Sequence, residues 1–219
     1  MEHKFLSKTK KISLAQVDFK EYFEFYRDFI CPYLYKYILE DSTEIIIKFH
    51  EEYFSHLLGL HKFQTLKSYK KMNKLINDIL SKKINFKNIY SAEKDFIEKN
   101  MELRDRITYF PVLKTLLENV DTALKYDLNV IWNSKIEFSF LLKTEKISVI
   151  VYLAVKEIKG NKKICVPVSL LVDRNNRFSK MKLKELKIIG RNIEKKWNTK
   201  IFKNRRKIEN FSCFCYNYK

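Results

Sequence analysis

Apolar residues recur along this chain with two different periods, and the switch between them divides it. Across residues 17–39, Phe19, Tyr22, Phe23, Tyr26 and Ile30 fall at i, i+3, i+4 and i+7 spacing, which predicts one face of an amphipathic helix packed on a sheet. Pro32 should bend or restart that helix near Cys31, because its ring removes a backbone donor. Ile45-Ile46-Ile47, followed by Lys48 and Phe49, reads as a buried strand, since branched side chains fit a pleat and crowd a helix. Phe54, Leu57 and Leu58 then return to helical spacing. Gly59 stands where that short helix should end, because glycine adopts a left-handed cap without strain. Further helices are predicted over residues 68–80 and, after a connector at 82–90, from an N-cap at Ser91 to about 107. Another starts at Pro111, with Leu113, Leu116, Leu117, Val120 and Leu124 on its apolar face, and should end near residues 126–127.

Beyond that point the period becomes two. Val130 and Trp132 begin a strand, residues 137–142 and 148–156 give two more, and Lys159-Gly160-Asn161 turns the last into a return strand over 163–172. Short connections between such strands predict an antiparallel meander. Pro167 cannot donate to a ladder and marks an edge or a bulge. After a polar turn at 173–178, Leu186, Ile189, Ile193 and Trp197 predict a helix over 183–197. The class is α+β, with a first unit over residues 1–179 and a basic helical and tail extension over 180–219.

Composition narrows the function. Lys and Arg number 44 against 26 Asp and Glu, for a formal charge of +18, which favours polyanionic partners such as RNA, DNA or an acidic protein. Residues 180–219 hold 13 Lys and Arg against 3 Asp and Glu, so they carry +10 of that excess. No apolar run approaches the roughly 20 residues needed to cross a bilayer, and the first residues lack the pattern of a secretory signal. A cytoplasmic protein with no membrane partner is therefore expected. The four cysteines, Cys31, Cys165, Cys213 and Cys215, include no C-x-x-C pair, so idle thiols are expected and no metal site. With three glycines and no phosphate-binding glycine loop, no nucleotide cofactor is expected.

Three of the four histidines, His50, His56 and His61, lie between residues 44 and 63, and Lys62 follows the last. His56 and His61 bracket the glycine turn. They read either as core or capping residues or as proton-transfer groups and phosphate contacts, because imidazole changes charge near neutral pH. Arg104 and Arg106 cannot share a helical face, so one should be solvated or paired with Asp105 while the other is free to fork onto a phosphate. Ser169 reads as an edge residue or as a hydroxyl that holds a phosphate oxygen. In the tail, Lys203, Arg205, Arg206 and Lys207 concentrate positive charge among Phe202, Phe211, Phe214, Tyr216 and Tyr218, a combination suited to phosphates and unpaired bases.

The strand Ile45 to Phe49, the F-x-H-L-x-G-L-H run from Phe54 to His61, the R-I-x-x-F run from Arg106 to Phe110, and Pro167-Val168-Ser169 together resemble a family of small phage and mobile-element nucleases. It is the fourth family of phage nucleases likened to barnase, EndoU, the tRNA-cutting colicins and RelE. Leu170 and Leu171 stand where members usually continue with aromatics. The resemblance spans roughly residues 44–171 and implies helices packed on one face of a curved antiparallel sheet. It also implies ribonuclease activity, favours Arg106 over Arg104, and makes RNA the partner, with tRNA as one candidate. On this reading His56 or His61 transfers the proton, Lys62 and Arg106 stabilise the transition state, and Ser169 positions phosphate. An antitoxin or a host defence nucleoprotein is a further candidate partner. Two other classes stay open: a basic protein that occupies RNA or a nucleoprotein without cutting it, and a helix-rich partner-binding protein.

Overall fold

The computed structural model describes residues 3–126, 137–158, 160–174, 178 and 183–196. Helix α1, Phe19–Phe29, starts where the Asp18 carboxylate accepts the amide hydrogens of Lys20 and Glu21 at 2.8 and 3.2 Å. It buries Phe19, Tyr22, Phe23 and Tyr26 of the predicted stripe and Phe25 besides, and Ile30, the last of the stripe, is buried at its C-terminal cap. The expected helix over residues 17–39, bent or restarted at Pro32, is corrected: the helix ends at Phe29 and does not restart after Pro32. Instead β1, Tyr33–Leu39, begins there, and its alternating aromatics put Tyr35, Tyr37 and Leu39 inward. A turn held by Asp41, which accepts the Thr43 amide hydrogen at 3.0 Å, leads into β2, Glu44–Lys48. Tyr35 faces Ile47 and Tyr37 faces Ile45 across that pair.

Among the described residues, seven α-helices separate or flank the strands. After the short α2, Phe54–Leu58, come α3, Met72–Leu80, and α4, Phe86–Ala92. The expected connector at 82–90 is thus largely helical. Asn85, not Ser91, provides the cap by accepting the Asn88 amide hydrogen, while the Ser91 hydroxyl turns back to Lys87 O. The helix expected from Ser91 to 107 is broken at Asn100 into α5, Lys94–Lys99, and α6, Met101–Tyr109, and Asn100 caps the second. Pro111 lies in a single 3-10 turn that opens α7, Leu113–Asn119. That helix stops short of residues 126–127, because the backbone extends at Val120 and β3, Thr122–Lys125, follows.

β4, Phe140–Lys143, β5, Val151–Ile158, and β6, Asn161–Val172, form the expected antiparallel succession. Val130 and Trp132 lie outside the described residues. Ala154 faces Ser169 and Val155 faces Pro167, so one residue is extra and Pro167 does sit at a bulge. The predicted helix over 183–197 is corrected to a strand, β7, Lys184–Lys195. Ile189, placed on the apolar face of that helix, is 67% exposed. β7 pairs with β1 on one side and β3 on the other, and its Ile188-Ile189 run suits a strand better than a helix. The sheet is therefore closed, in the order β1-β2-β6-β5-β4-β3-β7, and not an open curved one. Closure removes the unpaired edges that would otherwise attract other chains. One pairing, β2 with β6, is parallel.

One sheet face joins the helices in the main core, and a smaller cluster of Leu124, Leu141, Tyr152, Ala154 and Leu171 lies on the other. Buried tyrosines tie the layers together. Tyr22 donates to Ile107 O at 2.9 Å, Tyr37 to Leu117 O at 2.6 Å and Tyr26 to His50 O at 2.9 Å. Each bond satisfies a hydroxyl whose burial would otherwise be costly. No helix among the described residues is long and apolar enough to cross a membrane.

Candidate active site

The segment after β2 folds back on itself, and apolar burial dictates how. Phe54, Leu57, Leu58 and Leu60 all go into the core, which leaves His56 on the opposite side of α2, open to solvent. Gly59 then takes φ 71° and ψ 29°, and its amide hydrogen closes the helix on His56 O at 3.1 Å. A 3-10 turn over Leu60–Lys62 follows immediately. The reversal brings the His56 and His61 rings to 5.6 Å between centroids, tilted by 44°. The left-handed glycine is what makes this approach sterically inexpensive.

Arg106 reaches the same place from α6. It is 5% exposed, and its Nε is buried with no hydrogen-bond partner. A Cβ built on Gly59 would lie 3.5 Å from Arg106 Nη1 and 3.7 Å from its Cδ. The guanidinium therefore lies over the glycine turn, close enough for its charge to be felt by His61 and Lys62.

The electrostatics follow from crowding like charges in a partly desolvated spot. Although His61 is exposed, partial loss of water around its ring, then the charges of His56, Arg106 and Lys62, push it down to about 4. His56 keeps contact with solvent, yet partial loss of water around its ring also lowers it, and the nearby Glu52 carboxylate opposes that shift. Half-buried Lys62 is lowered by desolvation and by Arg106, with Glu102 opposing. Arg106 is lowered by burial, again against Glu102. At neutral pH the histidine pair is thus neutral and able to accept a proton, with two fixed cations beside it.

Of the residues singled out in the sequence, His56, His61, Lys62 and Arg106 come together. Arg104 is only half-buried. Ser169 is buried on β6, but it pairs with Ala154 and shares that sheet face with Tyr152 and Leu171. Its neighbour Leu170 points into the core that holds the helices, so alternation turns Ser169 away from the histidine pair. Lys203, Arg205, Arg206 and Lys207 lie outside the described residues. His50, after β2, is exposed near Lys196 and sets its ring against that of Tyr53, 5.8 Å between centroids. The thiols of Cys31 and Cys165 are both pushed up to about 12 by burial, as inert thiols would be.

Two features escaped the sequence. Glu52 stands four residues before His56, a spacing that places both on one side of a helical turn and was readable in principle. Asp105 pairs with neither neighbouring arginine. It accepts from Arg174 Nε at 2.8 Å and Nη2 at 2.5 Å, a partner 69 residues away that no local pattern reveals.

No curated protein and no solved structure matches the chain. The family model for the phage-Barnase-EndoU-ColicinE5/D-RelE like nucleases, group 4, matches residues 18–210. That span takes in the histidine turn, Arg106 and the seven strands of the described residues, and the chain belongs to this family of phage-associated nucleases.

Proposed function

We propose that the chain is an endoribonuclease that cleaves RNA by attack of a ribose 2′-hydroxyl on the adjacent phosphate, with protein side chains doing the proton transfer. The observation that carries this reading is the apposition of two histidines, 5.6 Å between ring centroids, beside a buried arginine whose Nε has no partner. His61, the more strongly depressed of the two, is the general base and takes the 2′-hydroxyl proton. The 2′-oxygen attacks phosphorus and the bond to the 5′-oxygen breaks. His56 is the general acid: neutral in the free protein, it takes up a proton once the negative phosphate lies beside it, with Glu52 favouring the charged form, and gives that proton to the leaving oxygen. Lys62 and the Arg106 fork hold the extra negative charge of the transition state. The products are a 2′,3′-cyclic phosphate and a 5′-hydroxyl. A donor set of two imidazoles, an ammonium and a guanidinium supplies each of these roles, and the step needs nothing from Ser169.

The requirement for a 2′-hydroxyl makes RNA the substrate, and tRNA is the first to try. Purified protein is incubated with total tRNA and a chelator, and fragment ends are sequenced. Discrete cuts ending in 2′,3′-cyclic phosphate, absent with His56→Ala/His61→Ala, are expected. RNA that stays intact while it shifts on a gel at low salt would overturn the proposal in favour of a binding protein, which the +18 charge also suits.

A further inference from the structure

We propose that Asp105 and Arg174 form a clamp that positions Arg106 for phosphate; the inference rests on the function proposed above. Arg174 grips Asp105 through both carboxylate oxygens, Nε to Oδ2 at 2.8 Å and Nη2 to Oδ1 at 2.5 Å. The Asp105 side chain is 9% exposed and that of Arg174 39%. Arg174 follows the end of β6 and is mounted on a fixed stem. The amide hydrogen of Asp173 donates to Ile150 O at 2.8 Å, and its buried carboxylate accepts the Phe178 amide hydrogen at 3.1 Å.

Asp105 and Arg106 are consecutive on α6, so their side chains leave the helix about 100° apart. One is held from the β6 side while the other lies over Gly59. Apolar contacts along α6, through Leu103 and Ile107, resist separation of the helix from the core but are not directional. Tyr22 and the Ile12 amide hydrogen hold the backbone at Ile107 and Thr108, at the far end of the helix. A planar fork on a carboxylate adds what these contacts lack, a fixed rotation about the helix axis just before Arg106. Pairs of this kind are a poor source of net stability, since an apolar pair of the same shape does as well, and they are better suited to fixing geometry. Arg106 needs that help because its own Nε is anchored to nothing.

The test uses the full chain with Arg174→Ala, Arg174→Lys and Asp105→Asn, each checked for a cooperative melt. Two readouts follow: kcat and KM for tRNA cleavage, and the Nε–H resonance of Arg106 in a nitrogen-15-labelled sample. In folded Arg174→Ala the clamp predicts kcat down by as much as about 100-fold, the loss a misplacement of about 1 Å can cause, with KM nearly unchanged. The pH profile keeps its shape, and the Arg106 Nε–H resonance broadens or shifts. Arg174→Lys, which keeps charge without the fork, recovers only part of the loss and serves in place of Arg174→Ala if that variant does not fold. A folded Arg174→Ala with wild-type kcat and an unmoved Arg106 resonance overturns the clamp. If the wild-type protein cuts no RNA, the ribonuclease reading fails, and the resonance alone decides the clamp.

Discussion

Substituting Gly59 with alanine separates two costs that the turn between His56 and His61 conceals. The first is backbone strain. Gly59 sits at φ 71° and Gly160 at φ 85°, both in the left-handed region, and an alanine there costs about 1–2 kcal/mol. The second is steric and differs between them. A Cβ at Gly59 would lie 3.1 Å from Leu103 Cδ1, too close for a packed core, whereas one at Gly160 meets nothing within 4 Å. Leu103 is fully buried and has little room to retreat, so overpacking adds at least about 1 kcal/mol. Gly160→Ala should therefore lose about 1–2 kcal/mol and Gly59→Ala about 2–5 kcal/mol. Urea unfolding with a common slope measures both. Equal losses at the two positions would refute the argument that the glycine turn is packed against α6, and with it the account of how Arg106 is seated.

Acid should weaken the fold through the histidine pair. His61 is held at about 4 and His56 is also lowered, while both titrate near 6.5 in the unfolded chain. The unfolded state thus binds protons first, so the stability these groups contribute is fully present above about pH 6.5 and is lost as pH falls toward about 4. The drop in urea midpoint between about pH 7.5 and about pH 5 should be smaller in His61→Gln than in the wild type; equal drops would contradict the assignment. Lys196 joins the start of β1 to the end of β2, donating to Cys31 O at 2.8 Å and to Phe49 O at 2.9 Å. Lys196→Met leaves both carbonyls short of a donor and should lower the unfolding free energy by about 1–3 kcal/mol; an unchanged midpoint would count against that tie.

What could be read from the sequence was what neighbours along the chain decide. The α1 stripe, the β2 run and the Gly59 cap each depend on a few consecutive residues; that His56 and His61 bracket the glycine was legible too, but not that their rings meet. The failures lie where distant partners decide. Leu186, Ile189 and Ile193 satisfy a helical period by coincidence, but two strand edges, those of β1 and β3, claim residues 184–195. Gly190 helps, since a Cβ there would come within 3.1 Å of Ile38. Val120 and Leu124 continue the α7 spacing in the sequence. Asp121, however, accepts from the Glu145 amide hydrogen at 2.7 Å and from the Thr122 hydroxyl at 2.9 Å, and its backbone enters the β4 and β7 ladders. Those contacts are invisible to periodicity. Asp105 belongs with them, since the sequence offers two adjacent arginines and the fold supplies a third.

The treatment of cations across the molecule is what sets the histidine turn apart. Elsewhere among the described residues, the cations that lose water gain oxygen acceptors, as Lys196 does from Cys31 O and Phe49 O. Buried Lys114 meets Glu118 at 3.1 Å and stands over the Tyr33 ring, and Arg174 takes Asp105. Around Arg106 the neighbours that matter most to His61 and Lys62 are other positive groups, with Glu52 and Glu102 only opposing the trend. Crowding cations this way weakens the folded state, and the rest of the chain, consistent in its caps, pairings and core, has no structural need of it. An anion in the turn would remove the conflict, because it would satisfy the buried Nε and restore the imidazoles toward their ordinary range. A phosphodiester is such an anion. On the ribonuclease reading proposed above, the same local instability that makes the turn a poor structural element would become the source of its affinity for the transition state, where negative charge is greatest.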